Sequence, residues 1–231
     1  MKPYIFLSGN YLTNTVDANN DPIDIRTISG ESTPYTVEVS FTDMYGNPTS
    51  RTIDTLILQD TNIKNLTLEA KGAGGTYSTL LTLSGNTSST VIAKAATPAL
   101  TSGVRITVGT TGNPEEISAK IGIYGFICNL LALTDSNYKI AANQGDYRVV
   151  SGAFVHWADY KKWVAKVKME NVTKAQFDAL TAQADIGEMT VIPYTDLEAN
   201  AIYSCGVNRD YSYELDRKTE LFSLELEFNE L

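Results

Sequence analysis

The chain is short of the residues that most enzymes and nucleic-acid binders depend on. It has 231 residues, yet one histidine, two cysteines and only 19% charged residues. The single histidine, His156, lies in "FVHWADY" beside Asp159, with no serine or cysteine nucleophile pattern near it. A catalytic triad therefore has no partners to nominate. Cys128 and Cys205 sit apart in apolar stretches, "FICNLL" and "AIYSCGV". Two cysteines in a chain of this size exclude a disulfide scaffold and read as buried free thiols. Basic residues are in deficit, 18 Lys and Arg against 27 Asp and Glu, for a net charge of −9. No phosphate-binding face is expected, and so no free nucleic acid as partner. No apolar run approaches the roughly 20 residues of a membrane span, so membrane insertion is not expected. The apolar run in "MKPYIFLSGN" is shorter than the core of a secretion signal. The expectation is a soluble protein made in a cytoplasm.

What the chain has is Thr, Ser, Asn and alternation. Hydrophobic residues reach 43%, enough for a packed core. Residues 36–125 read as strands about ten residues apart, separated by Gly, Pro and Asn. "TVEVSF" puts Val37, Val39 and Phe41 on one face; "NLTLEA" does the same for Leu66, Leu68 and Ala70. "TIDTLILQ" is richer in apolar residues and should be central. "MYGNP" and "KGAGG" carry turn chemistry. The fold class expected is all-β: an N-terminal jelly-roll sandwich over 1–130 and a smaller C-terminal β-sandwich with one helix over 131–231. The crossing is expected in 126–136, where composition shifts.

In the second half, Trp163, Ala165, Val167 and Met169 alternate with Lys162, Val164, Lys166 and Lys168. In the last strand Phe222, Leu224, Leu226 and Phe228 alternate with Ser223, Glu225 and Glu227. The lysine face suits pairing across a sheet with the glutamate face. Lys162, Lys166, Lys168, Glu225 and Glu227 are also the candidate assembly contacts, within one subunit or between two. "NVTKAQFDALTAQADIG" predicts a helix, with Thr173 and Gln176 as capping box, Val172 and Phe177 as staple, Phe177, Leu180 and Ala184 as buried stripe, and Gly187 as terminator.

Motifs that bind cofactors are not evident. "KGAGGTYST" lacks the Gly-Lys-Ser/Thr ending of a phosphate loop. "DANNDPID", from Asp17 to Asp24, gathers oxygen ligands, but Pro22 and Ile28 stand where an EF-hand needs Gly and Glu. It reads as a calcium loop or, more simply, as an Asx-rich turn. Glu115 and Glu116 are adjacent, unlike the facing carboxyls of a glycosidase. No cofactor, metal or catalytic residue is expected.

Two resemblances extend this reading. "VEVSF…RTIDTLILQDTNIKNLTLEA", followed by "TPALTSGVRITVGTTGNPEEISAKIGIYGF", resembles the discoidin-like, galactose-binding-like jelly roll. The matching positions are Asp60, Thr61 and Asn62, then Val104 to Val108, then Ile117 to Gly125. The resemblance implies that the "QDTNIKN" turn orients a chain reversal. It also implies that any glycan would meet loop residues at one end, where Tyr11, Tyr35 and Tyr45 are the aromatics on offer. The C-terminal part, from "VVSGAFVHWADYKKWVAKVKM" to "LFSLELEFNEL", resembles the small tail-tube and distal-tail domains of tailed bacteriophages. Together they imply a non-enzymatic virion structural protein of the tail or baseplate, made in the host cytoplasm. Its implied partners are copies of itself and other virion proteins. The alternative is a carbohydrate-binding module for host-surface glycan.

Overall fold

The computed structural model describes residues 4–130, 137–148, 154–193 and 201–231, with the backbone alone between 137 and 161. The chain forms two compact units, Asn10–Phe126, and Met1–Gly9 together with Ile127–Leu231. The strand β1 (Tyr4–Ser8) belongs to the second unit. The first holds β2 (Thr15–Val16), β3 (Thr27–Ser29), β4 (Tyr35–Phe41), β5 (Arg51–Gln59), β6 (Ile63–Lys71), β7 (Tyr77–Leu83), β8 (Val91–Thr101), β9 (Gly103–Thr111) and β10 (Ser118–Tyr124). These make an antiparallel two-sheet sandwich, a four-stranded sheet in the order β3-β10-β5-β8 and a five-stranded sheet in the order β2-β4-β9-β6-β7.

Alternation builds this sandwich. Val39 and Phe41 of β4, Leu66 and Leu68 of β6, and Val104, Ile106 and Val108 of β9 point into one core. They meet Ile53, Leu56 and Leu58 of β5 and Ile121 and Ile123 of β10 from the other sheet. Each fully buried aliphatic side chain contributes about 1.5–3 kcal/mol. The apolar run of β5 is buried on both faces of its middle, Ile53 to Leu58, and the strand has a central place in its sheet, between β10 and β8. At Gly103 the backbones come so close that a Cβ would strike the Val39 carbonyl, which is why glycine opens β9.

Two side chains hold the ends of this unit. Asn10 Oδ1 accepts the N–H groups of Leu12 (3.1 Å) and Ile123 (3.2 Å), tying the entering chain to the last strand. Asp54 is buried, and its Oδ1 accepts the Phe126 N–H at 2.8 Å. The Lys94 ammonium stands 3.9 Å from the Asp54 carboxylate and over the Phe126 ring.

The second unit adds β11 (Phe126–Leu130), β12 (Asn137–Arg148), β13 (Phe154–Val172), α1 (Lys174–Ile186), β14 (Glu188–Ile192), β15 (Tyr203–Val207), β16 (Ser212–Asp216) and β17 (Leu221–Glu230). Its sheet runs β11-β1-β14-β15-β17-β13-β12, with β16 on β17. Phe6, Trp163, Val167, Met169, Leu226 and Phe228 share one core, and Leu180 and Ala184 of α1 join it. The capping box forms as the spacing predicts: Thr173 Oγ1 accepts the Gln176 N–H, and Gln176 Oε1 accepts the Thr173 N–H. Gly187 ends the helix at φ 95°. Phe177 is half-buried, stacked on Phe222 at 4.3 Å, and Thr181 takes a buried place the sequence pattern left open.

Two expectations about boundaries differ from what forms. Residues 1–9 were expected with the jelly roll, but Ile5 to Ser8 pair antiparallel with Met189 to Ile192. The stretch 126–130, expected as part of a crossing, is the strand β11 beside β1. The sandwich unit is thus an insertion between two neighbouring strands of the other sheet. A four-residue apolar run carries no local mark of which distant strand it will join.

Candidate functional site

At one end of the sandwich, the segments Thr13–Val16, Pro22–Arg26 and Thr42–Gly46 enclose a cleft of about 380 Å³. Backbone bonds hold the three together. The Thr42 N–H donates to the Asn14 carbonyl at 3.1 Å, and the Ile23 N–H to the Thr15 carbonyl at 3.1 Å. The Thr15 hydroxyl, itself buried, returns a 2.7 Å bond to the Ile23 carbonyl.

Three groups give the cleft its chemistry. Arg26 meets Asp24 in a fork, Nε to Oδ1 at 2.9 Å and Nη2 to Oδ2 at 2.6 Å. This fork holds the Asp24 carboxyl at about 2, from an ordinary 3.8. Asp43 closes its own turn. Its Oδ1 accepts the N–H groups of Tyr45 (2.8 Å) and Asn47 (2.9 Å), and Oδ2 accepts the Asn47 amide at 3.0 Å. The Asn47 bonds hold the Asp43 carboxyl below its usual range. The turn they fix carries Met44 at 78% and Tyr45 at 80% exposure. Gly46 completes it at φ 84°, a backbone conformation that favours glycine. The turn thus sets Met44 in the cleft lining with a fixed carboxylate–guanidinium pair, and shows Tyr45 to solvent next to Met44 in the chain. Both carboxylates are held ionised, so neither is poised to give up a proton as a general acid.

The residues singled out from sequence are distributed as follows. Of the three tyrosines, Tyr45 is exposed on the turn whose Asp43, Met44 and Gly46 line the cleft, and is not itself a lining residue. Tyr11 packs against Phe41 with ring centroids 6.1 Å apart, under the Arg51 guanidinium, and burial pushes the Tyr35 hydroxyl upward. In "DANNDPID", Asp17 Oδ1 accepts the N–H groups of Asn19 (2.7 Å) and Asp21 (3.0 Å), an Asx-type turn. Among the described residues no group of three acidic, histidine or cysteine side chains is arranged around a cation site. In the "QDTNIKN" turn, Asn62 donates to the Glu116 carbonyl (2.8 Å) and accepts the Ser118 N–H (3.0 Å), while Asp60 pairs with Lys120 at 2.7 Å. Those bonds tie the chain reversal to the start of β10, a structural task. His156 stands opposite Asp146 in the β12–β13 ladder, and its side chain lies outside the described residues.

The lysine and glutamate faces meet inside one subunit. Lys166 pairs with Glu225 at 2.6 Å and Lys168 reaches it at 3.7 Å. Glu227 lies opposite Lys166 in the strand register, and Lys162 is half-buried on the same strand. The Asp24–Arg26 fork and Met44 were not singled out from sequence. The available signals were the Asp-x-Arg spacing and two large side chains inside a turn, "DMYGN".

No known family profile matches the chain, and no curated protein matches it. Among solved structures it is similar to the family 32 carbohydrate-binding module of EndoD from Streptococcus pneumoniae. The identity is 19% and the TM-score 0.36, over 42% of this chain and 73% of the module.

Proposed function

We propose that this chain is a non-catalytic binding protein whose sandwich unit takes a carbohydrate into the loop cleft. The observation that carries the reading is the composition of the cleft: a fixed Asp24–Arg26 fork and Met44 line it, and the exposed Tyr45 follows Met44 on the same turn. Sugars offer hydroxyl edges that need both donors and acceptors, and C–H faces that rest on an aromatic ring. The fork supplies acceptors and donors already oriented, which lowers the ordering cost of binding. Tyr45 supplies the ring. The test is a glycan array followed by calorimetry on the best hit. Tyr45→Ala should weaken binding about tenfold, the scale of losing one aromatic anchor. Unchanged affinity in Tyr45→Ala, or no glycan bound at millimolar concentration, would sink the reading.

A second reading concerns the other unit: a subunit of a tailed-phage tail or baseplate, found in the virion. One feature favours it. β13 pairs with β12 from Phe154 to Lys166, but with β17 only from Val164 to Val172. Residues 141–148 and 154–162 therefore pair only with each other among the described residues. A two-stranded ribbon is marginal in water and has open edges, so it suits contact with neighbouring subunits. Sedimentation of the purified protein and imaging of particles test this. A monomer at every concentration, absent from any particle, removes it.

A further inference from the structure

We infer that β16 is a docking edge for an extended segment of another protein, one that alternates basic and apolar residues. All five residues of β16 are exposed. One edge pairs with Leu221 to Glu225 of β17; the other has no strand partner among the described residues. An open edge offers a row of backbone donors and acceptors that an incoming strand satisfies.

The two faces of β16 define what fits. Tyr213 lies opposite Leu224 and Leu215 opposite Phe222, so both point to the core side of the sheet. There they stop short of burial, at 57% and 48% exposure. Tyr213 meets Phe177 of α1 edge-on at 5.1 Å. An added strand would cover this half-open apolar step with its own apolar positions. Ser212 and Glu214 point to the opposite face, where a trough of about 380 Å³ runs across β13, β17 and β16. Three carboxylates line it, Glu170, Glu214 and Glu225, with one ammonium, Lys168. Lys166 and Lys168 already engage Glu225. No ion pair engages Glu170 or Glu214 among the described residues. The trough is left with surplus negative charge, which lysine or arginine positions of an added strand would neutralise.

The same charges argue against a second copy of this chain. Antiparallel self-pairing centred on Glu214 sets that carboxylate against itself. Centring on Leu215 sets Glu214 against Asp216, and centring on Tyr213 sets Asp210 against Asp216. Like charges directly opposite are destabilising.

The experiment uses the full chain and two synthetic probes, an alternating Lys–Val peptide and an alternating Glu–Val peptide. Affinity is read by fluorescence anisotropy and the site by amide hydrogen exchange. The Lys–Val peptide should bind, more weakly as salt rises, and slow exchange at residues 212–216. The Glu–Val peptide should not bind. The double variant Glu170→Lys with Glu214→Lys should weaken binding about tenfold. Its melting curve should be unchanged, because no ion pair engages either side chain among the described residues. Equal binding of the two peptides, or protection away from β16, would overturn the inference. So would self-association that the Lys–Val peptide fails to compete.

Discussion

Asp24 is the residue whose ionisation matters most at the cleft. Its folded-state value, about 2, lies below the ordinary 3.8. A depressed carboxyl contributes stability that is present above its unfolded value and lost as pH falls through the folded one. Binding and loop stability should therefore be flat from pH 8 to about pH 5 and decline only toward pH 3 and below. Calorimetry and melting curves across that range would show it. A drop already at pH 5 would mean the fork does not hold the carboxylate ionised. The two thiols supply a second residue-scale expectation. Burial pushes Cys128 and Cys205 up to about 12, Cys205 with help from the Glu230 charge. Neither should react with a disulfide reagent at pH 8 until the chain is unfolded, when both should. Reaction in the native state would place a thiol at the surface.

At the scale of elements, α1 depends on its cap and on one aromatic stack. Thr173→Ala removes the oxygen that accepts the Gln176 N–H and should cost about 1 kcal/mol. Phe177→Ala should cost about 2 kcal/mol, below the 3–5 of a fully buried ring, because Phe177 is only half-buried between Phe222 and Tyr213. Denaturant melts of the two variants check both values. The cap was legible in "NVTKAQ" because its partners are three residues apart. The burial of Thr181 was not legible. Its hydroxyl can sit in the core because it bonds back to the Phe177 carbonyl at 2.9 Å, a local bond that hides its polarity.

For the whole molecule, the insertion makes a prediction about independence. The entry and exit of the sandwich unit are clasped by Asn10 and by Asp54. Residues 10–126 expressed alone should fold cooperatively, with a β-rich circular dichroism spectrum, and keep the glycan binding proposed for the full chain. Asn10→Ala in that fragment should cost about 1–3 kcal/mol by leaving the Ile123 N–H unpaired. A fragment that fails to melt cooperatively would show that the unit leans on the rest of the chain.

The amino-acid sequence by itself determined the period-2 faces, the helix with both of its ends, and the turns at Gly46 and Gly75. It also showed the lone histidine with no serine or cysteine nucleophile pattern beside it. All of these depend on neighbours within a few residues. Tertiary structure alone decided that Tyr4–Ser8 joins Glu188–Ile192 across the inserted unit. It alone brought three loops 13–16, 22–26 and 42–46 around one cleft. Pairing between distant strands depends on which edges remain open once every other strand has paired. A short apolar run fits many such edges equally well, so its choice is settled only when the whole core closes.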